Sequence, residues 1–91
     1  MQDPVERVAI PSERIARWFQ AAELLGDLGV SLQAELVDLA RDLTRHRLRR
    51  AARAARAAEQ ASTRELQMIA NATATEMEDL AEAPSGPFDD D

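Results

Sequence analysis

Apolar positions recur along this chain at spacings of three and four, the period of a helix with one buried face. Ile15, Trp18, Phe19, Ala22 and Leu25 form the first such series and predict a helix over about 13–25. Ser12 stands as its N-cap, and Glu13 lies in the first turn, where a negative charge suits the helix dipole. Gly26 and Gly29 then interrupt the pattern, and glycine tolerates the left-handed backbone that ends helices. Ser31 offers a second cap. From Ser31 to Ala81 there is no Pro and no Gly, which predicts one long helix over about 31–81, roughly 75 Å at 1.5 Å per residue. The expected fold is all-α: a short helix folded back on a long one, a helical hairpin extending into a coiled-coil-like oligomerisation or docking helix.

The long segment changes its apolar face part-way. At 100° per residue, Leu32, Leu36, Leu39 and Leu43 form one stripe. Leu48, Ala51, Ala55, Ala58, Leu66, Ile69, Thr73, Met77 and Leu80 form a second, rotated by roughly 120°. The first helix is long enough to cover the first stripe only. The hairpin core is therefore expected from Ile15, Trp18, Phe19, Ala22, Leu25, Leu32, Leu36, Leu39 and Leu43, and the second stripe is expected to be the partner interface. A chain that doubled back near Glu59–Thr63 would cover that stripe by itself. Asn71 to Thr75 has weaker helix formers, where a bend or fraying could start.

Pro4 and Pro11 mark residues 1–11 as an extended N-terminal arm that could pack on a neighbour, followed by the helical part, 12–82. Pro84-Ser85-Gly86-Pro87 stops the helix and leads into Phe88-Asp89-Asp90-Asp91, so 83–91 is expected to be a flexible acidic tail. Such a tail solubilises, or docks on a basic pocket of a partner.

Composition narrows the classes. Ninety-one residues with 3% aromatics and no cysteine make a marginal core without a disulfide framework or thiolate chemistry. No apolar run approaches the length of a membrane span, and Met1-Gln2-Asp3-Pro4 lacks the start of a signal peptide. A cytoplasmic protein, or one within a phage virion or assembly, is the expectation. All eleven basic residues are arginine, which suggests a GC-rich bacterial or phage genome. The net charge of −6 hides blocks: residues 41–64 carry eight arginines against Asp42 and Glu59, between two acidic flanks.

Arg41, Arg45, Arg49, Arg53, Arg56 and Arg64 fall in a sector of roughly 140° on the expected helix. Such a ridge could meet phosphates or an acidic protein surface, or be paired with acids of its own or a neighbouring chain. No aromatic is interleaved to stack on bases. Residues 22–36 resemble a helix-turn-helix, but the helix that would enter the groove begins Ser31-Leu32-Gln33-Ala34-Glu35, without a base. Asp38, Asp42 and His46 lie four apart, as helix-borne metal ligands do, yet a site needs further ligands and His46 is the single histidine. Ser12, Ser31 and Ser62 have no histidine nearby in sequence, so catalysis is not expected. No cofactor is expected either. Trp18 and Phe19 are read as hairpin core, with one of them as a candidate interface anchor.

The expected function is thus a non-enzymatic assembly or adaptor protein acting through its long helix, as a homo-oligomer or docked on larger protein partners. A small structural or scaffolding component of a phage or other large complex is one concrete form. Alternatives are a small nucleic-acid-associated protein using the Arg41–Arg64 ridge, and an antitoxin-like inhibitor of one protein partner.

Overall fold

The computed structural model describes residues 7–82. Its elements are all helical: α1 (Ser12–Leu24), α2 (Val30–Arg41), α3 (Arg45–Ala57) and α4 (Arg64–Glu82), with 3-10 turns at Gly26–Gly29 and Ala58–Gln60. The acidic tail and residues 1–6 of the arm lie outside the described residues.

The all-α class is as the periodicity implies, but the single helix over 31–81 is three helices. Neither break uses glycine or proline. After α2, Asp42 turns extended at φ −145° and ψ 93°. Thr44 then caps α3, its hydroxyl accepting from the Arg47 N–H at 3.3 Å. After α3, Ala61 opens to ψ 151°. There Thr63 Oγ1 accepts from the Leu66 N–H at 3.3 Å, and the Gln67 side chain donates to the Ala61 carbonyl at 2.7 Å. A threonine that accepts the first free N–H groups of a helix favours a restart at that point. The chain doubles back within Ala58–Thr63, and α4 returns antiparallel along α3. The longest extent of the molecule is 45 Å, well short of an uninterrupted 31–81 helix.

Smaller offsets occur at the caps. Pro11, not Ser12, precedes the first helical residue, and α2 begins at Val30 after Gly29, ahead of Ser31. Neither start carries a side-chain cap bond.

α3 lies at the centre, packed on α4 along one side and on α2 along another, while α1 lies across α2 and touches α4. The first turn closes tightly. Gly26 sits at φ +64°, and a Cβ on Gly29 would stand 2.1 Å from the Ala22 carbonyl oxygen, so only glycine lets the turn approach α1 that closely. Residues 7–11 pack on their own chain: the Val8 N–H donates to the Leu43 carbonyl at 3.0 Å, Arg7 bridges Thr44, and Ile10 is buried.

The core is one cluster running from Trp18, Ala22 and Leu25 through Leu32, Leu36 and Leu39 to Leu48, Ala51, Ala55 and Met77. Where α3 meets α4, the buried side chains are mostly alanine: 51, 52, 55 and 58 on one side, 70, 74 and 81 on the other. Small residues let helix backbones approach closely. That proximity replaces part of the contact that larger side chains would supply.

Candidate functional site

The second apolar stripe is not on the surface. Leu48, Ala51, Ala55, Ala58, Thr73 and Met77 are buried, and Leu66, Ile69 and Leu80 are half-buried against the same core. The reversal at Ala58–Thr63 folds the α4 half of the stripe onto the α3 half, so the chain covers by itself the surface expected to meet a partner. The hairpin-core residues lie in this cluster or against it: Ile15, Phe19 and Leu43 are half-buried and the other six are buried.

Among the described residues, the outer face of α2 is uncovered. Leu32, Leu36 and Leu39 of this helix are wholly buried. On the opposite side, at spacings that keep them within about 60° of one another, stand Val30, Ala34, Val37 and Arg41, all exposed. Val30 is 62% exposed and Val37 43%, and the approach from α1 adds Leu24 at 63% and Leu28 at 40%. Scattered exposed apolar residues are ordinary. Four of the five large ones among the described residues, however, fall within Leu24–Val37. The fifth is Met68 on α4, beside a groove of ≈ 510 Å³ lined also by Glu59, Arg64, Gln67, Asn71 and Ala72.

Charge brackets the α2 face. Asp27 lies in the turn before it and Arg41 in its last turn, both exposed. Among the described residues neither has an ion-pair partner.

The arginine ridge is dispersed by the helix breaks. Arg45 is buried, and its guanidinium donates to the Ala81 carbonyl at the end of α4, where a cation also suits the helix dipole. Arg56 is tied down by Glu78 at 2.7 Å and Glu59 at 2.5 Å. These hydrogen bonds raise the Arg56 pKa further and hold the Glu78 carboxyl below its ordinary range. Arg50 meets Glu35 at 3.2 Å, which raises its pKa likewise. Arg41, Arg49, Arg53 and Arg64 remain exposed and, among the described residues, without an ion pair. Arg64 begins α4, at the hairpin bend. Arg49 and Arg53 line a groove of ≈ 190 Å³ at the other end of the α3–α4 pair, together with Glu78 and Glu82. The six do not form one surface.

No family model matches the chain, and comparison with curated proteins and with solved structures finds no match either.

The remaining candidates are placed by the same contacts. Asp38 and Asp42 each face Arg47 at 3.7 Å, and no group of three or more potential metal ligands converges among the described residues. Glu35, on the helix that would read a DNA groove, holds Arg50. Trp18 is buried and its indole donates to Glu76. No described helix is long and apolar enough to cross a membrane. The buried residues absent from the predicted stripes are chiefly alanines: Ala52, Ala61, Ala70, Ala74 and Ala81. The spacing 70, 74, 77, 81 is itself a helical signal, which the larger residues beside it obscure.

Proposed function

We propose that this chain is a non-enzymatic assembly or adaptor protein whose docking surface is the outer face of α2 with the α1–α2 corner. The observation that supports it most directly is the exposure of Leu24, Leu28, Val30 and Val37 within one stretch of fourteen residues, while the other large apolar side chains among the described residues are mostly covered. Large apolar side chains exposed in such number on so short a stretch favour contact with another protein. A rim of opposite charges gives such a contact its register. The role is placed in a soluble compartment or within a phage-like assembly, where a compact helical unit serves as a structural component.

The nucleic-acid reading rests on Arg49 and Arg53, one turn apart and free of ion pairs among the described residues. It is the weaker one, because Glu78 and Glu82 line the same groove and oppose a phosphate there.

A photo-cross-linking residue at position 37, with one at Gln60 as control, tests the docking reading in cells. The expected result is an adduct of defined mass at 37 that is absent at 60 and lost when Val30 is changed to Glu. No adduct at 37, or equal labelling at both positions, would remove the reading. A single stoichiometric foreign partner would favour the inhibitor form over the structural one.

A further inference from the structure

The outer face of α2 is complementary to itself. Read from the turn onward it runs Asp27, Val30, Ala34, Val37, Arg41: an acid, an apolar centre and a base. Asp27 lies in the 3-10 turn Gly26–Gly29 that runs into α2, three residues before Val30 and so nearly in line with it, and Asp27 and Arg41 are each seven residues from Ala34. Two copies of α2 laid antiparallel about a two-fold axis at Ala34 therefore set Asp27 of each copy against Arg41 of the other. The same operation brings Val30 of one copy beside Val37 of the second. Ala34, the smallest side chain in the series, falls at the crossing, where the backbones approach most closely. A parallel pairing would instead place Arg41 on Arg41 and Asp27 on Asp27, so charge selects the antiparallel form. Two-fold pairing through one self-matching patch is the commonest way soluble chains associate.

We infer that the occupant of the α2 face is a second copy of this chain, bound antiparallel through Val30, Ala34 and Val37 and registered by two Asp27–Arg41 pairs. This rests on the docking reading above and gives it a partner. Both charged residues are exposed and lack an ion pair within their own chain, among the described residues, so neither must abandon a partner to pair across the axis. α2 has 12 residues, about 18 Å of helix, which limits the contact to the low end of specific interfaces. The dimer is accordingly a weak, concentration-dependent one, and salt weakens it further.

Sedimentation equilibrium of the full chain from micromolar to millimolar concentration tests this. The expected mass rises from 10.0 kDa toward twice that value. Val37→Glu holds the chain at the monomer mass with an unchanged helical spectrum, since Val37 is exposed. Asp27→Arg alone and Arg41→Asp alone each weaken the dimer roughly tenfold or more, because symmetry turns two attractive pairs into two repulsive ones. The double variant Asp27→Arg/Arg41→Asp returns to within about threefold of the original, since the swapped pairs attract again. A chain that stays monomeric throughout, or a dimer indifferent to Val37→Glu and to the swaps, overturns the inference. If the chain is monomeric while position 37 cross-links a different protein in cells, self-pairing fails and the docking reading stands. If position 37 cross-links nothing, both fail.

Discussion

The Trp18 indole N–H donates to Glu76 Oε1 at 2.8 Å, joining α1 to α4 across 58 residues of sequence. The second carboxylate oxygen takes Arg14 at 2.8 Å. One side chain on α4 thus satisfies a buried donor and a half-exposed cation on α1, which requires α4 to lie back against the start of the chain. Glu76→Ala leaves the indole N–H without its acceptor and should cost about 1–3 kcal/mol. Glu76→Gln keeps an oxygen for the indole and loses only the Arg14 pair, so it should cost clearly less. Urea unfolding of both variants checks the order.

The two turn glycines should respond differently to alanine. At Gly29 the added methyl meets a backbone carbonyl at 2.1 Å, so α1 and α2 must separate, at about 1–3 kcal/mol or more. At Gly26 nothing lies within 4 Å, and the cost is that of a positive φ alone, about 1 kcal/mol. A chain of this size loses roughly 4–8 °C of melting temperature per kcal/mol, so thermal melts resolve the two.

Ala55→Glu places a carboxylate at a wholly buried position where α3 meets α4. It should abolish the helical signal of the isolated chain at every concentration, since an unpaired buried charge costs more than a marginal domain holds. Gln60→Glu, on an exposed residue, should leave melting within about 0.5 kcal/mol. Were the alanine stripe a partner surface, Ala55→Glu would instead remain folded and lose only association.

Glu78 carries the pH dependence that can be traced to one contact. Its folded pKa lies below the ordinary value because Arg56 hydrogen-bonds its charged form. A depressed carboxyl contributes stability that is present above its unfolded pKa, about 4.3, and is lost as pH falls through the lower folded value. Arg56→Ala should therefore flatten the acid limb of the stability curve below about pH 4.5. It should leave the slope above pH 6 unchanged. Chemical denaturation between pH 3 and 7 measures this.

Arg49→Ala/Arg53→Ala should leave stability nearly unchanged, since both are exposed and, among the described residues, without ion pairs. On the docking account the original chain shows no salt-dependent retention on duplex DNA or RNA at low ionic strength. Retention that this pair of changes abolishes would promote the nucleic-acid reading.

The sequence made the first third of this fold readable. Trp18, Ala22 and Leu25 at helical spacing, two glycines, then Leu32, Leu36 and Leu39 mark α1, the turn after it and the start of α2, but not the end of α2 at Arg41. The reversal at Ala58–Thr63 was hidden because helix-forming residues run up to it and neither Gly nor Pro marks it. The signal present is Ser62-Thr63-Arg64-Glu65: Thr63 as a hydroxyl cap with Glu65 as an acid in the first turn. Two stripes on one supposed helix were the other clue: a rotation near Leu43–Leu48 reports a break as readily as a change of partner, and Thr44 caps the helix that follows. The α2 face is not legible in the sequence, because valines at 30 and 37 carry no meaning until Leu32, Leu36 and Leu39 are placed on the opposite side.

The reversal decides which surface is left free, and one distance tests it. Arg49 and Glu82 line the same groove, whereas an unbroken helix would hold them about 50 Å apart at 1.5 Å per residue. The chain has no cysteine, so Arg49→Cys/Glu82→Cys accepts two spin labels without background. Pulsed electron–electron double resonance on this variant, diluted into unlabelled chain, should give a single short distance, below about 25 Å once label length is included. A dominant distance near 50 Å would contradict the account: α4 would lie away from α3, with the alanine stripe open to a partner.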